Sequence, residues 1–371
     1  MATPPDPAAL RGSLWVLFLY DVAEEIHLDK LRQLLGLEPP PREPSFRHPT
    51  PEYVRFERPP VVEPIPPDRL EAGPGARARL KYFDFGVVSV EVEMPFETDW
   101  ESLVQLAARW TAASDLESRA EAFARDAVAR AAPAIEQPAR QWLSEDYYAV
   151  HVAHALDDDT GQPLSTAALL AAHSSDIARI VRGETNPLSE SERNEVLRAR
   201  LSYYPNDLIV AGWSGAFLYD TPEAASPARQ LLEYANTQLL EFRHYDELLT
   251  RVLAQVYDKL ERGGGLLGRW RLGAEAERLN RIRLDVRELA ERADNAIKFL
   301  SDMYYARAYR MASERVGVGD YRRLVEDKLR TAGDLYEFMT NSFHQARAFV
   351  LEFLIVAILV IELGNLFLFH R

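Results

Sequence analysis

The chain has 371 residues, 57 acidic against 43 basic side chains for a net charge of -14, 47% hydrophobic residues and no cysteine. That length suffices for two domains of about 150 residues each, with enough apolar content to form real cores. The lack of cysteine excludes disulfides, thiolate metal sites and cysteine nucleophiles, and the acidic balance opposes nonspecific phosphate-backbone binding, which needs a surplus of Lys and Arg.

The apolar run Leu14 to Tyr20 is short and runs into Asp21, Glu24 and Glu25, so it reads as a buried strand and not as a signal peptide. Residues 26 to 36 predict a short helix (Ile26, Leu31, Leu34, Leu35) stopped by Gly36. From 39 to 67 the chain packs eleven of its 23 prolines. Proline lacks the donor that helices and ladders need, so this stretch is expected to be an extended, polyproline-like arm closing an N-terminal segment, residues 1–76.

Residues 77–220 read as an α+β domain, a layered sheet with helices on one face. Val88, Val90 and Val92 alternate with Ser89, Glu91 and Glu93, the period of a half-buried strand. Asp99 caps a helix bearing Trp100, Leu103, Leu106 and Trp110, and an alanine-rich helix fills 115 to 132. Tyr147 to Leu156 predicts another strand, Ser165 starts a helix ending near Gly183, and Ser189 with Glu192 forms a capping box for the next. Asp207 to Tyr219, mostly apolar, reads as one closing strand.

After Pro227 the pattern becomes helical. Residues 228 to 261 place apolar side chains at steps of three and four, and 272 to 303 do so more strictly through Leu272, Leu279, Ile282, Val286, Leu289 and Leu300. A heptad seam of this length predicts a coiled coil, so 221–346 is expected to be an antiparallel helical stalk turning at Gly263-Gly264-Gly265. A third helix from about 320 runs toward the terminal segment.

Ala348 to Phe369 is 22 residues long, with sixteen Leu, Ile, Val or Phe and no basic residue. At about 1.5 Å per residue this matches a hydrocarbon core of about 30 Å. Two mid-span carboxylates cost about 2.5–3.5 kcal/mol each against about 5–10 kcal/mol returned by the apolar residues. The expectation is therefore a C-terminal transmembrane helix at 348–369, with the bilayer as a partner and the bulk of the chain on the cytoplasmic side as a tail-anchored, single-pass membrane protein. Glu362 and Asn365 share a helix face, and with Glu352 they are candidates for polar contacts that join copies.

Few groups suggest chemistry. Gly263-x-Gly265-x-x-Gly268 fits the dinucleotide pattern as a string, but a long helix precedes it where a strand is required, so it reads as a turn. His151 and His154 precede three aspartates, yet residues three apart on a strand face opposite ways and do not chelate together. His173 amid alanines reads as a helix residue, and Gly212, Trp213 and Gly215 as packing at a bend. No catalytic residue, cofactor or metal site is predicted. The rival to a noncatalytic reading is a small-molecule enzyme using His151 or Asp207 of the 77–220 domain.

Three stretches resemble the DUF155 ("required for meiotic nuclear division") family: FDFGVVSVEVE at 83–93, the helix at 218–261, and LEFLIVAILVIELGNLF at 351–367, with Glu352 and Glu362 as matched positions. The chain would be a divergent member, with about 85 additional residues before its last segment. The resemblance implies an anchored, oligomeric scaffold with a possible protein partner on its α+β head. Some relatives support organellar translation, and a ribosome or RNA tether is a further alternative, although so acidic a chain makes nucleic acid an unlikely partner.

Overall fold

The unbroken apolar run near the N-terminus becomes β1 (Leu10–Ile26), a 17-residue strand in the middle of the sheet. The computed structural model describes residues 10–37, 58–110, 114–155, 163–262, 273–284, 286–287 and 303–369. Within them, β1 is flanked by β4 (Val87–Thr98) and β5 (Ile135–His154), both antiparallel to it. β2 (Val61–Ile65) and β3 (Arg77–Tyr82) extend one side; β8 (Gly215–Tyr219), β7 (Leu208–Ala211) and β6 (Arg200–Leu201) extend the other. The order is β2-β3-β4-β1-β5-β8-β7-β6, and β5–β8 is the parallel pair.

One face carries the main apolar core. Val16, Phe18 and Tyr20 of β1 and Val88, Val90 and Val92 of β4 pack there with α1 (Leu28–Leu35), α3 (Trp100–Trp110), α4 (Ser114–Ala131), α5 (Thr166–Arg182) and α6 (Glu190–Arg198). The expected caps form: Asp99 accepts from Ser102 N at 2.8 Å, Ser165 from Ala168 N and Ser189 from Glu192 N, both at 3.2 Å. Gly36 and Gly183 end their helices in the left-handed conformation. The opposite sheet face lies under the first half of α7 (Pro222–Arg262), whose Arg229, Glu233 and His244 reach Glu91, Lys81 and Asp21. Helices therefore cover both faces, and the strand expected to be half-buried is buried on both: Ser89 is 0% and Glu91 1% exposed.

Other differences have local causes. Residues 61–65 of the proline-rich stretch form the edge strand β2, where Pro64 is tolerated because an edge leaves one side of the ladder unpaired; α2 (Pro67–Leu70) follows. Asp207 to Tyr219 is the hairpin β7–β8, folded at Gly212-Trp213-Ser214. β5 begins twelve residues before Tyr147, and a register irregularity against Asp21–Ala23 accompanies the positive φ of Gln137 (47°).

The chain divides into two units, Met1–His244 with Ala293–Asp320, and Tyr245–Arg292 with Tyr321–Arg371. In the second, Val252, Leu253 and Val256 of α7, Ala276 and Leu279 of α8 (273–284), and Ala332 and Met339 of α10 (Val318–Phe369) share one apolar cluster. Three helical segments thus build this core, the two around the glycine turn and the third helix expected from about 320. Leu279 and Ile282 of the heptad seam pack into the cluster and Val286 is buried, while Leu272, Leu289, Leu300 and the glycines 263–265 and 268 lie outside the described residues. α9 (Met303–Val316) belongs to the first unit.

Among the described residues no helix is long and apolar enough to cross a membrane. This overturns the expected span at 348–369, and with it the tail anchor and the single-pass membrane placement. The apolar stretch is not an element of its own. It is the end of the 52-residue α10, whose earlier turns are charged, and Glu352, Glu362, Gly364 and Asn365 interrupt it.

Candidate functional site

Among the described residues of the first unit, a dense assembly of charged groups lies between the sheet and α7. Antiparallel pairing sets Lys81 of β3 opposite Ser89 of β4, and the two-residue period puts Glu91 on the same face. Helix α7 then lowers Glu233 onto them. Lys81 Nζ donates to Glu91 at 2.6 Å and also to Glu233, while Ser89 Oγ donates to Glu233 at 2.7 Å. Arg79 pairs with Glu91, and Arg229 lies 3.4 Å from Glu91 and 3.9 Å from Glu93.

Three cations thus face three carboxylates. Burial alone would raise the Glu91 carboxyl, but Lys81, Arg229 and Arg79 outweigh it and hold Glu91 well below the usual carboxylate range. The Arg229 guanidinium also stacks 4.1 Å over the Trp15 ring, and His151 stacks on the same ring at 5.3 Å. The buried carboxylates Glu91 and Glu233 are engaged by the surrounding cations and the Ser89 hydroxyl, an arrangement that acts on structure.

The residues of the enzyme reading are committed in the same way. His151 is 2% exposed and its Nε2 contacts the Asp220 carbonyl at 2.9 Å; burial and the Arg229 charge push its pKa down, so it stays neutral. Asp207 accepts from Tyr203 N at 2.7 Å and Tyr204 N at 2.9 Å, closing the turn into β7. His173 sits at a break in α5 (φ -124°), stacked on Trp100 at 4.2 Å with Nδ1 3.2 Å from Asp176. Gly215 is packing: a Cβ there would lie 2.3 Å from the Tyr148 ring. Gly212 is also crowded, since a Cβ on it would lie 2.5 Å from Val181, and Trp213 is exposed. An open polar hollow at α6 and β6 includes Glu195, which Arg198 and Arg315 neutralise at 3.4 and 2.9 Å.

Asp220 differs from these. It precedes α7, and burial, opposed by the Thr221 N–H and reinforced by the Asp207 charge, pushes its carboxyl up to about 6. Sequence reasoning missed both Asp220 and the Lys81–Glu91–Glu233 cluster, since alternating polar residues on a strand ordinarily mark a solvated face.

Glu352, Glu362 and Asn365 project from α10 into solvent, as do its apolar neighbours. Phe349, Leu351, Phe353, Ile355, Leu359 and Leu363 are each more than half exposed.

Residues 11–226, more than half of the chain, match the family described as "Uncharacterized protein MJ0711, N-terminal domain", and the chain belongs to that family. The match does not confirm the DUF155 resemblance expected from the sequence. A relative, "Uncharacterized protein MJ0711" of Methanocaldococcus jannaschii, is 23% identical over 187 residues, 50% of this chain and 57% of its own length. The match thus spans little more than half of that relative. No solved structure matches.

Proposed function

We propose that this member of the MJ0711 N-terminal domain family is a noncatalytic oligomeric scaffold, in which the end of α10 joins copies of the chain and the α+β unit binds a protein partner. The exposed apolar surface of residues 349–363 carries the reading. Large side chains emerge on every side of the helix there, and contiguous apolar surface of this kind marks an interaction site. A helix that is apolar all round is satisfied only when enclosed, so a single partner helix would leave part of it in water and a bundle of several copies would not. Glu352, Glu362 and Asn365 then lie within or beside the seam, where a few polar groups fix register and copy number. Joined copies raise the effective concentration of whatever their α+β units bind.

Two further observations agree. The buried ionisable groups under α7 are held in ion pairs, and the chain's resemblance at 83–93 and 218–261 to DUF155 proteins implies scaffolding. The net charge of -14 favours a protein over a nucleic acid as the partner.

Chemical cross-linking of the full chain, with its mass measured by light scattering in mild detergent, tests the reading. A discrete oligomer is expected, weakened by Glu362→Leu and dispersed to monomers by Ile355→Glu with Leu359→Glu. A monomeric wild-type chain, or an oligomer indifferent to all three substitutions, overturns it.

A further inference from the structure

Where β1 passes into α1, three metal-ligating side chains converge on one surface. The two-residue period of β1 turns Ile26 into the core, 0% exposed, and leaves Glu25 and His27 together on the other side. The register sets Glu25 directly opposite Glu136 on β5, and His27 N donates to Ala134 O at 2.9 Å, fixing the junction. Two carboxylates in directly opposed cross-strand positions repel each other and destabilise the pairing unless a cation lies between them. The His27 imidazole lies against both carboxylates: Nδ1 is 3.6 Å from Glu25 and Nε2 3.2 Å from Glu136.

The imidazole alone is a poor solution. Neutral histidine has one N–H, so one of its nitrogens turns a lone pair toward a carboxylate; protonated, it supplies one positive charge against two negative ones. A divalent ion resolves both problems, because the lone pair and both carboxylates become ligands. One donor atom from each residue lies within 4.8 Å of the others. Modest side-chain rotation brings these to the spacing of about 3.3 Å that bonds of about 2.0–2.1 Å require in a tetrahedron.

We infer that Glu25, His27 and Glu136 form a zinc site that clamps the β1–α1 corner to the start of β5. One nitrogen and two oxygen donors suit Zn²⁺, with water completing the tetrahedron, whereas Mg²⁺ and Ca²⁺ prefer six or more oxygens. The clamp closes beside one of the two register irregularities of the β1–β5 pair and beside Gln137.

Calorimetric titration of chelator-treated full-length protein with ZnCl2, alongside thermal unfolding, tests the site. One equivalent is expected to bind in the micromolar range, with a rise in melting temperature that excess MgCl2 does not reproduce. His27→Ala and Glu136→Gln should each weaken binding at least tenfold and abolish the thermal shift. Glu136→Gln keeps the imidazole, so it separates this site from adventitious binding at other histidines. All three side chains are partly exposed, and the variants are expected to fold. Absence of saturable zinc binding, or binding that both variants leave unchanged, overturns the inference.

Discussion

Lys81 on β3 and Glu233 on α7 stand 152 residues apart in sequence and form an ion pair shut off from water. The pair fixes the register of α7 on the sheet, because sliding the helix by one turn would take Glu233 away from Lys81 and Ser89 and Arg229 away from Glu91. Lys81→Met should therefore cost up to about 3 kcal/mol, since it removes the shared cation of two buried carboxylates and leaves Glu233 with the Ser89 hydroxyl and Glu91 with Arg79 and Arg229. Replacing Lys81, Glu91 and Glu233 together by apolar residues of similar volume should restore much of that loss. Urea unfolding of the single and triple variants decides it: a single variant within about 1 kcal/mol of wild type would show that the cluster is not closed to water.

Asp220 gives the fold a pH dependence of definite sign. Its carboxyl titrates at about 6 in the folded chain against an ordinary value of 3.8, so between these pH values the native state holds more proton than the unfolded one. Stability from this group is full below about pH 4 and declines as pH rises through 6. The group is only partly buried, and solvent screening reduces the effect to about 1 kcal/mol. Asp220→Asn should leave stability unchanged near pH 4 and raise it by that amount at pH 7.5. A difference between variant and wild type that stays flat from pH 4 to 7.5 would count against this account.

Gly86 closes the turn between β3 and β4 with φ +89°, and a Cβ there would meet the Ala23 carbonyl oxygen at 1.8 Å. The left-handed backbone alone costs a non-glycine residue about 1–3 kcal/mol, and the collision with main chain adds to it. Gly86→Ala is thus expected to lower the melting temperature more than Gly36→Ala. Gly36 shares the positive φ but has open space around it. Equal effects of the two substitutions would remove the role assigned to Ala23.

These features were unequally visible in the sequence. Val88, Val90 and Val92 announce a strand through their alternation, and the run around Val16 announces one buried on both faces. The helix caps at Asp99, Ser165 and Ser189 are local chemistry, and each forms as expected. The Lys81–Glu233 pair has no local signal, since only the placement of α7 turns Ser89 and Glu91 from an outer face into an interior one. Glu25 and His27 are neighbours in sequence, but Glu136 joins them only through the β1–β5 register. The β7–β8 hairpin was hidden because Gly212-Trp213-Ser214 interrupts an apolar run without the usual Asn-Gly or Asp-Gly turn. Hydropathy alone also misread the end of α10, as it does not show that the segment prolongs a long charged helix.

The three-segment core of the second unit makes the last prediction. Met339 on α10 is 0% exposed and belongs to the cluster that includes Val256 of α7 and Leu279 of α8. Truncating a buried methionine costs about 2–5 kcal/mol through lost transfer energy and the cavity left behind. Leu279→Ala should cost a comparable amount. Because both side chains line one core, the double variant should lose less than the sum of the single losses, as neighbouring cavities share walls and collapse together. A simple two-helix stalk formed by α7 and α8 would give a different pattern, in which Leu279→Ala destabilises and Met339→Ala does not. Hydrogen exchange of the full chain distinguishes them: amides of α7 beyond Tyr245, α8 and the middle of α10 should lose protection together in either variant.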